Sequence, residues 1–281
     1  MAVYIVQGKL GTGKTKFAVG KMQEAILQGR RVATNLDIKI ENLVGPNNRQ
    51  IVMRLPDKPT AADLLAIGHG NPDSYDEERN GVLVLDELGS WLNSRQFQDK
   101  GRAALIDWMI HARKYGWDCY LIVQHLNMLD KQVREAMAEY VIKTIRADKI
   151  RIPIVGTLLG KRGKLPRFHI ARYYLTDMPG VVVDREFFRG DNLHAAYDTR
   201  QIFKEDNCGL YCYLSAWHIK GRYLDNAPKR TFLQKLFNIR SKPPRPRMPL
   251  KPKTEIVANM LNLPINERLV VCRWFNQRGL L

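Results

Sequence analysis

Three observations predict an α/β protein built on a mostly parallel central sheet flanked by helices. Short apolar runs alternate with longer stretches of helical periodicity through the first 150 residues, the rhythm of βαβ units. The first of these runs passes directly into a glycine-rich loop, GKLGTGKT, and then into a helical stretch. A second run, VLVL, is apolar throughout and ends in the acidic pair Asp86–Glu87.

Taken in order, Val3–Gln7 reads as a strand and Lys14–Gln28 as a helix that stops at Gly29, a residue suited to helix termination. Further strands are predicted at Arg31–Asn35, Val82–Asp86, Cys119–Val123 and Tyr140–Arg146. Residues 101–116 carry Leu105, Ile106, Met109, Ile110 and Arg113 at helical spacing and end at Gly116. The stretch 151–167, with Gly156, Gly160 and Gly163 among basic residues, suits a hairpin or exposed loop, and Phe168–Tyr174 a strand. Past Cys212 the helix and strand signals fade. SKPPRPRMPLKPK, 241–253, holds five prolines and five basic residues, so it is expected to be an extended linker. Helical periodicity returns at 254–262, and a second short helix, N-capped by Asn266, runs toward Gly279. The expected organisation is therefore an α/β domain over 1–200, a basic extension over 201–240, the linker over 241–253 and a short helical segment over 254–281.

With 281 residues and 45% hydrophobic content the chain can bury a sizeable core. Four cysteines, at 119, 208, 212 and 272, are too irregularly spaced for a disulfide framework and suit a reducing compartment. Gly8 ends the first apolar run at strand length, which is too short for a secretion signal. No apolar run reaches the roughly 18 residues needed to span a bilayer. The net charge of +17 is unevenly placed: +2 over residues 1–145, +4 over 146–217 and +11 over 218–281. A tail so basic is expected to meet single-stranded DNA or anionic lipid, although a solvated linker accounts for the charge as well.

GKLGTGKT fits G-x-x-x-x-G-K-[ST] without a gap, and each residue type has a reason to be there. Gly8, Gly11 and Gly13 let backbone N–H groups of the loop, with Thr12, close around phosphate oxygens. The Lys14 ammonium meets the β- and γ-phosphates, and the Thr15 hydroxyl ligates Mg²⁺. The helix that follows adds its positive N-terminal dipole. A strand before and a helix after complete the context of a P-loop NTPase of RecA-like class, with ATP and Mg²⁺ as the implied ligands. Such a loop needs an acidic partner, normally at the end of a neighbouring strand. Asp86 is expected at the Mg²⁺ and Glu87 as the group that orients or deprotonates the attacking water, while the same pair also suits a helix N-cap and a first-turn acid.

DCYLIVQH places Gln124 at the C-terminal end of a buried strand, where ligands sit in open α/β sheets. Gln124 can report the γ-phosphate or hold the water, or merely satisfy loop backbone. Arg113 and Arg134 are read near the same edge, either one suited to act in trans in a ring-forming ATPase. Cys208 and Cys212, with His194 and His218 nearby, lack a second close ligand pair, so no zinc site is assigned. Tyr211, Tyr213, Trp217 and Tyr223 are read as packing residues before a base-stacking surface.

The P-loop at the extreme N-terminus, TNLDI at 34–38, VLVLDE, HARKYGWDCYLIVQHLNMLDKQVRE and YDTRQ at 197–201 together resemble the zonula occludens toxin-like family of filamentous-phage assembly ATPases. That family is similar to the FtsK and HerA motors. The resemblance covers roughly 1–201 and implies ATP hydrolysis that drives virion assembly and export through the inner membrane, with Lys14, Thr15, Asp86, Glu87 and Gln124 carrying the nucleotide chemistry. A homo-oligomeric ring and phage assembly or inner-membrane partner proteins are implied with it. Members typically follow the ATPase domain with a membrane-spanning helix, whereas 202–281 here is basic, proline-interrupted and too polar to span, so attachment through a partner at the cytoplasmic face of the membrane is the expectation. A soluble DNA-packaging or translocating ATPase and a nucleotide-gated scaffold are the alternatives.

Overall fold

The computed structural model describes residues 3–91, 100–129, 131–147, 168–178, 180–204 and 209–220. Within them, strands β1 (Val3–Gln7), β2 (Val32–Thr34), β3 (Val52–Arg54), β4 (Gly81–Leu85), β5 (Trp117–Val123), β6 (Tyr140–Arg146), β7 (His169–Leu175), β8 (Val182–Phe188) and β9 (Tyr211–Tyr213) form one sheet. Its order is β8-β7-β6-β1-β5-β4-β2-β3-β9. From β6 to β3 all neighbours are parallel, while β7, β8 and β9 pair antiparallel at the two sides. The five strands expected in the first 150 residues are present, with ends shifted by at most two residues.

The interior strands are apolar on both faces because both faces are covered. Ile5, Leu83, Leu85 and Leu121 point to one side, where α2 (Ala61–Ala66), α3 (Lys100–Ile110) and α4 (Lys131–Met137) add Leu64, Leu105, Met109 and Met137. Val6, Val82, Val84 and Ile122 point to the other, where α1 (Lys14–Leu27) buries Phe17, Val19, Met22 and Ile26. Fully burying one such side chain stabilises the fold by about 1.5–3 kcal/mol. Tyr4 joins the second face, stacked on Tyr120 at 4.7 Å and on Tyr140 at 5.5 Å.

Several features depart from expectation. The helix expected over 101–116 ends at Ile110, and turns carry the chain to Gly116 at φ +69°. Strands β3, β8 and β9 and the short helix Ala216–Lys220 were not legible as such. Residues 211–213 lie beyond the expected boundary at 200, yet β9 pairs with β3 on the same sheet. Tyr211 and Tyr213 are half-buried there, and Trp217 carries Arg49 over its ring at 4.5 Å. The expected loop 151–167, Cys208, Cys272, Tyr223, the linker and the C-terminal helices lie outside the described residues. No helix among the described residues is long and apolar enough to cross a membrane.

Parallel pairing points the C-terminal ends of β1, β5, β4 and β2 to one edge of the sheet, and the loops that leave them meet there.

Candidate functional site

The loop after β1 wraps the N-terminus of α1. Gly13 is the N-cap at φ 91° and ψ 24°, a left-handed conformation that L side chains resist, and its carbonyl accepts the Phe17 N–H at 2.8 Å to start the helix. Gly8 is required for a different reason. A Cβ there would stand 2.5 Å from Thr12 Oγ1, 2.6 Å from Thr144 Oγ1 and 3.0 Å from the Thr144 carbonyl oxygen. The loop is braced from β6 and β7: Thr12 and Thr144 hydroxyls meet at 2.9 Å, and the His169 Nδ1 donates to the Thr12 carbonyl at 2.7 Å. The Lys14 ammonium donates to the carbonyls of Gly8 at 2.7 Å and Lys9 at 3.3 Å, closing the loop beneath it. Partial burial lowers the Lys14 pKa, and the Asp86 carboxylate opposes that shift.

Asp86 follows β4, and β5 lies between that strand and β1, so the acidic strand is next but one to the P-loop strand and not its immediate neighbour as expected. Because β1, β5 and β4 run parallel, their C-terminal ends share one edge of the sheet and the two motifs meet across β5. Thr15 Oγ1 donates to Asp86 Oδ2 at 2.7 Å, and the Glu87 N–H donates to Asp86 Oδ1 at 2.7 Å. Burial raises the Asp86 pKa against the hydrogen bonds from Thr15 and Glu87 and the charge of Lys14. Glu87 is exposed, and its φ of 54° makes it the one positive-φ residue other than glycine among the described residues. Such a backbone costs on the order of 1–3 kcal/mol and clusters at functional sites. Partial desolvation at the cleft, then the neighbouring Asp86 charge, raises the Glu87 pKa.

These groups open onto a cleft of about 310 Å³. Gly11, Gly13, Lys14, Thr15, Asp86, Glu87 and Gln124 line it, so the structure brings together the loop, both acids and the glutamine at the end of β5. Gly8 and Thr12 do not face it, because the Thr12 side chain is turned to β6, where it serves as a brace. Arg113 and Arg134 are outside the cleft. Arg113 precedes β5, at the sheet edge opposite the one expected, and pairs with Glu77 at 2.5 Å. A hydroxyl and a buried carboxylate 2.7 Å apart are the hard-oxygen donors that suit Mg²⁺, a cation that takes few protein ligands and otherwise water and phosphate. Thr15 and Asp86 thus fit that ion.

The far wall of the cleft was not anticipated. Leu36, Tyr197, Asp198, Thr199, Gln201 and Phe203 supply it. Burial and the nearby Asp86 charge raise the Tyr197 pKa. Gln201 pins the segment: its Oε1 accepts the Asp37 N–H at 2.7 Å and its Nε2 donates to the Asn35 carbonyl at 2.9 Å. Beneath it, Arg54 and Asp57 are fully buried and paired at 2.5 Å, and Asp57 also accepts the Lys204 N–H at 3.1 Å. The signal for these residues was the pair of stretches TNLDI and YDTRQ, which stood out in sequence without any chemistry attached to them.

The protein is similar to several known proteins. The Gene 1 protein of Enterobacteria phage fd is 48% identical over 232 residues, 79% of this chain and 66% of that one. The Gene 1 protein of Escherichia phage If1 is 47% identical over 250 residues, 85% of this chain and 70% of that one. The chain thus spans about two thirds of the length of these relatives. Among solved structures, the N-terminal domain of zonular occludens toxin from Neisseria meningitidis aligns at 15% identity and a TM-score of 0.42, over 70% of this chain and all of that one. The family described as Zonular occludens toxin (Zot) matches residues 2–181, and with relatives this similar the chain belongs to that family.

Proposed function

We propose that this chain is a Mg²⁺-dependent ATPase that drives filamentous-phage virion assembly and export through the host inner membrane, working as a ring-shaped homo-oligomer at the cytoplasmic face. The observation that carries the enzymatic reading is the single cleft in which Lys14, the Thr15–Asp86 pair, Glu87 and Gln124 meet. The relatives among phage Gene 1 proteins support the assembly reading.

In this reading the P-loop N–H groups and Lys14 cradle the β- and γ-phosphates, and Thr15 and Asp86 hold the metal ion. Mg²⁺, when bound, neutralises charge on the phosphate oxygens. Glu87 takes a proton from water as that water forms a bond to the γ-phosphorus, and the bond to the bridging oxygen breaks with its electron pair leaving on ADP. Its raised pKa makes the Glu87 carboxylate a stronger base than an ordinary glutamate. Gln124, at the end of β5, is suited to orient the water or report the γ-phosphate. The basic tail, +11 over 218–281, contacts single-stranded DNA or anionic lipid, and phage assembly or inner-membrane proteins hold the motor in place.

Steady-state ATPase of the wild type, Lys14→Ala and Glu87→Gln tests the enzymatic reading. Glu87→Gln should lose about 10²–10⁴-fold in turnover while still binding nucleotide. Equal rates in the wild type and Glu87→Gln would refute the role of Glu87, and negligible turnover in both would leave a nucleotide-gated scaffold. Removal of 221–281 should abolish salt-sensitive binding to single-stranded DNA or to anionic vesicles; loss of the first with DNA-stimulated hydrolysis in the intact chain would favour a DNA-translocating enzyme.

A further inference from the structure

Asn35 stands immediately after β2, fully buried, and its carboxamide is bonded on every side. Its Oδ1 accepts the Asp86 N–H at 2.8 Å, and its Nδ2 donates to the Asp86 carbonyl at 3.1 Å and to the Asp57 carbonyl at 2.9 Å. The pairing of β2 with β4 ends at Thr34 and Val84. One step beyond, the Asn35 side chain bonds both backbone groups of Asp86 in the way a neighbouring strand would. The chain leaving β2 is thereby free to turn toward Leu36 and Asp37 while the Asp86 peptide stays fixed. With the Asp86 N–H and C=O both held, the two peptide units that flank its Cα have little freedom to rotate, and the direction of the Asp86 side chain toward Thr15 follows. Gln201 completes the lock by donating to the Asn35 carbonyl at 2.9 Å.

We propose that Asn35 is a positioning residue for the Asp86 carboxylate, and that Gln201, from the segment forming the far wall of the cleft, holds Asn35 in place. The proposal rests on the reading of Asp86 as a metal-holding residue. Residues behind a metal ligand typically affect metal affinity by about 10–100-fold. Asn35 does not line the cleft, and two of its three side-chain hydrogen bonds go to Asp86, so its effect falls on metal-dependent binding more than on metal-free binding.

The test uses the full chain and a fluorescent ATP analogue, titrated in Mg²⁺ and in EDTA, together with the Mg²⁺ concentration that gives half-maximal ATPase. Asn35→Ala and Asn35→Asp, neither of which can donate to the Asp86 carbonyl, should raise the half-saturating Mg²⁺ about 10–100-fold and leave binding in EDTA within about twofold of wild type. Gln201→Ala should move the same quantity in the same direction by less, and it carries the test if the Asn35 variants do not fold. Asp86→Asn is the reference. If Asp86→Asn shifts the Mg²⁺ dependence and the Asn35 and Gln201 variants do not, the positioning proposal is overturned. The proposal also falls if binding in EDTA declines as much as binding in Mg²⁺, since that is general structural damage. A wild-type Mg²⁺ response in Asp86→Asn would overturn the underlying reading of Asp86 itself.

Discussion

Replacing Gly13 by alanine forces two separable costs on the P-loop. At φ 91° an alanine carries a left-handed backbone penalty of about 1–2 kcal/mol. Its Cβ would also lie 2.7 Å from Nδ1 and 2.9 Å from Cε1 of His169, well inside contact distance. The ring cannot retreat freely, because its Nδ1 donates to the Thr12 carbonyl at 2.7 Å and its plane is stacked on Phe188 at 5.1 Å. Overpacking of this kind costs about 1–3 kcal/mol. The sum, about 2–5 kcal/mol, corresponds to a melting temperature roughly 4–20 °C below wild type at 2–4 °C per kcal/mol. Circular dichroism on Gly13→Ala, His169→Ala and the double variant separates the parts, since only the steric cost is relieved when the ring is removed. A coupling of about 1–3 kcal/mol is expected between the two sites. Gly45, with open space around it, is the control, and Gly45→Ala should stay within about 0.5 kcal/mol of wild type. Additive effects within about 0.5 kcal/mol, or a Gly13→Ala protein that melts with the wild type, would refute the reasoning.

Arg54→Met strands the fully buried Asp57 carboxylate, and unpairing a buried charge costs about 3–5 kcal/mol. Denaturant unfolding should show that loss, with part of it recovered in Arg54→Met combined with Asp57→Leu; an Arg54→Met protein as stable as wild type would contradict the buried pair. Burial, followed by the Asp118 charge, pushes Tyr4 up to about 12, and burial likewise raises Tyr120, Tyr173 and Tyr213. Their raised values mean that stability is unaffected by these groups below the ordinary tyrosine value of 10.0 and falls as pH rises from there toward 12. Absorbance titration should accordingly show these phenols ionising only on alkaline unfolding, and their ionisation near pH 10 in the folded protein would count against the packing described.

What is encoded locally is legible in the chain alone. Glycine spacing, the lysine and threonine after it, and the apolar strands on either side specify a P-loop and its sheet, because backbone conformation and binary pattern act over a few residues. The position of Asp86–Glu87 at the end of VLVL was legible for the same reason. How these pieces are held depends on contacts between distant parts of the chain. Strand order is a matter of crossovers, so nothing in VLVLDE indicates that β5 lies between it and the P-loop strand. Arg54 reads as a surface charge until Asp37 and Asp57 close around it, and Val52–Arg54 is too short to announce a buried strand. Arg113 reads from sequence as lying near the same edge as Gln124, yet it precedes β5 and the direction of that strand sends it to the opposite edge. Asn35 and Gln201 are 166 residues apart, and only their meeting beneath the cleft gives either one a function: an amide becomes a clamp when the fold brings a backbone to each of its atoms.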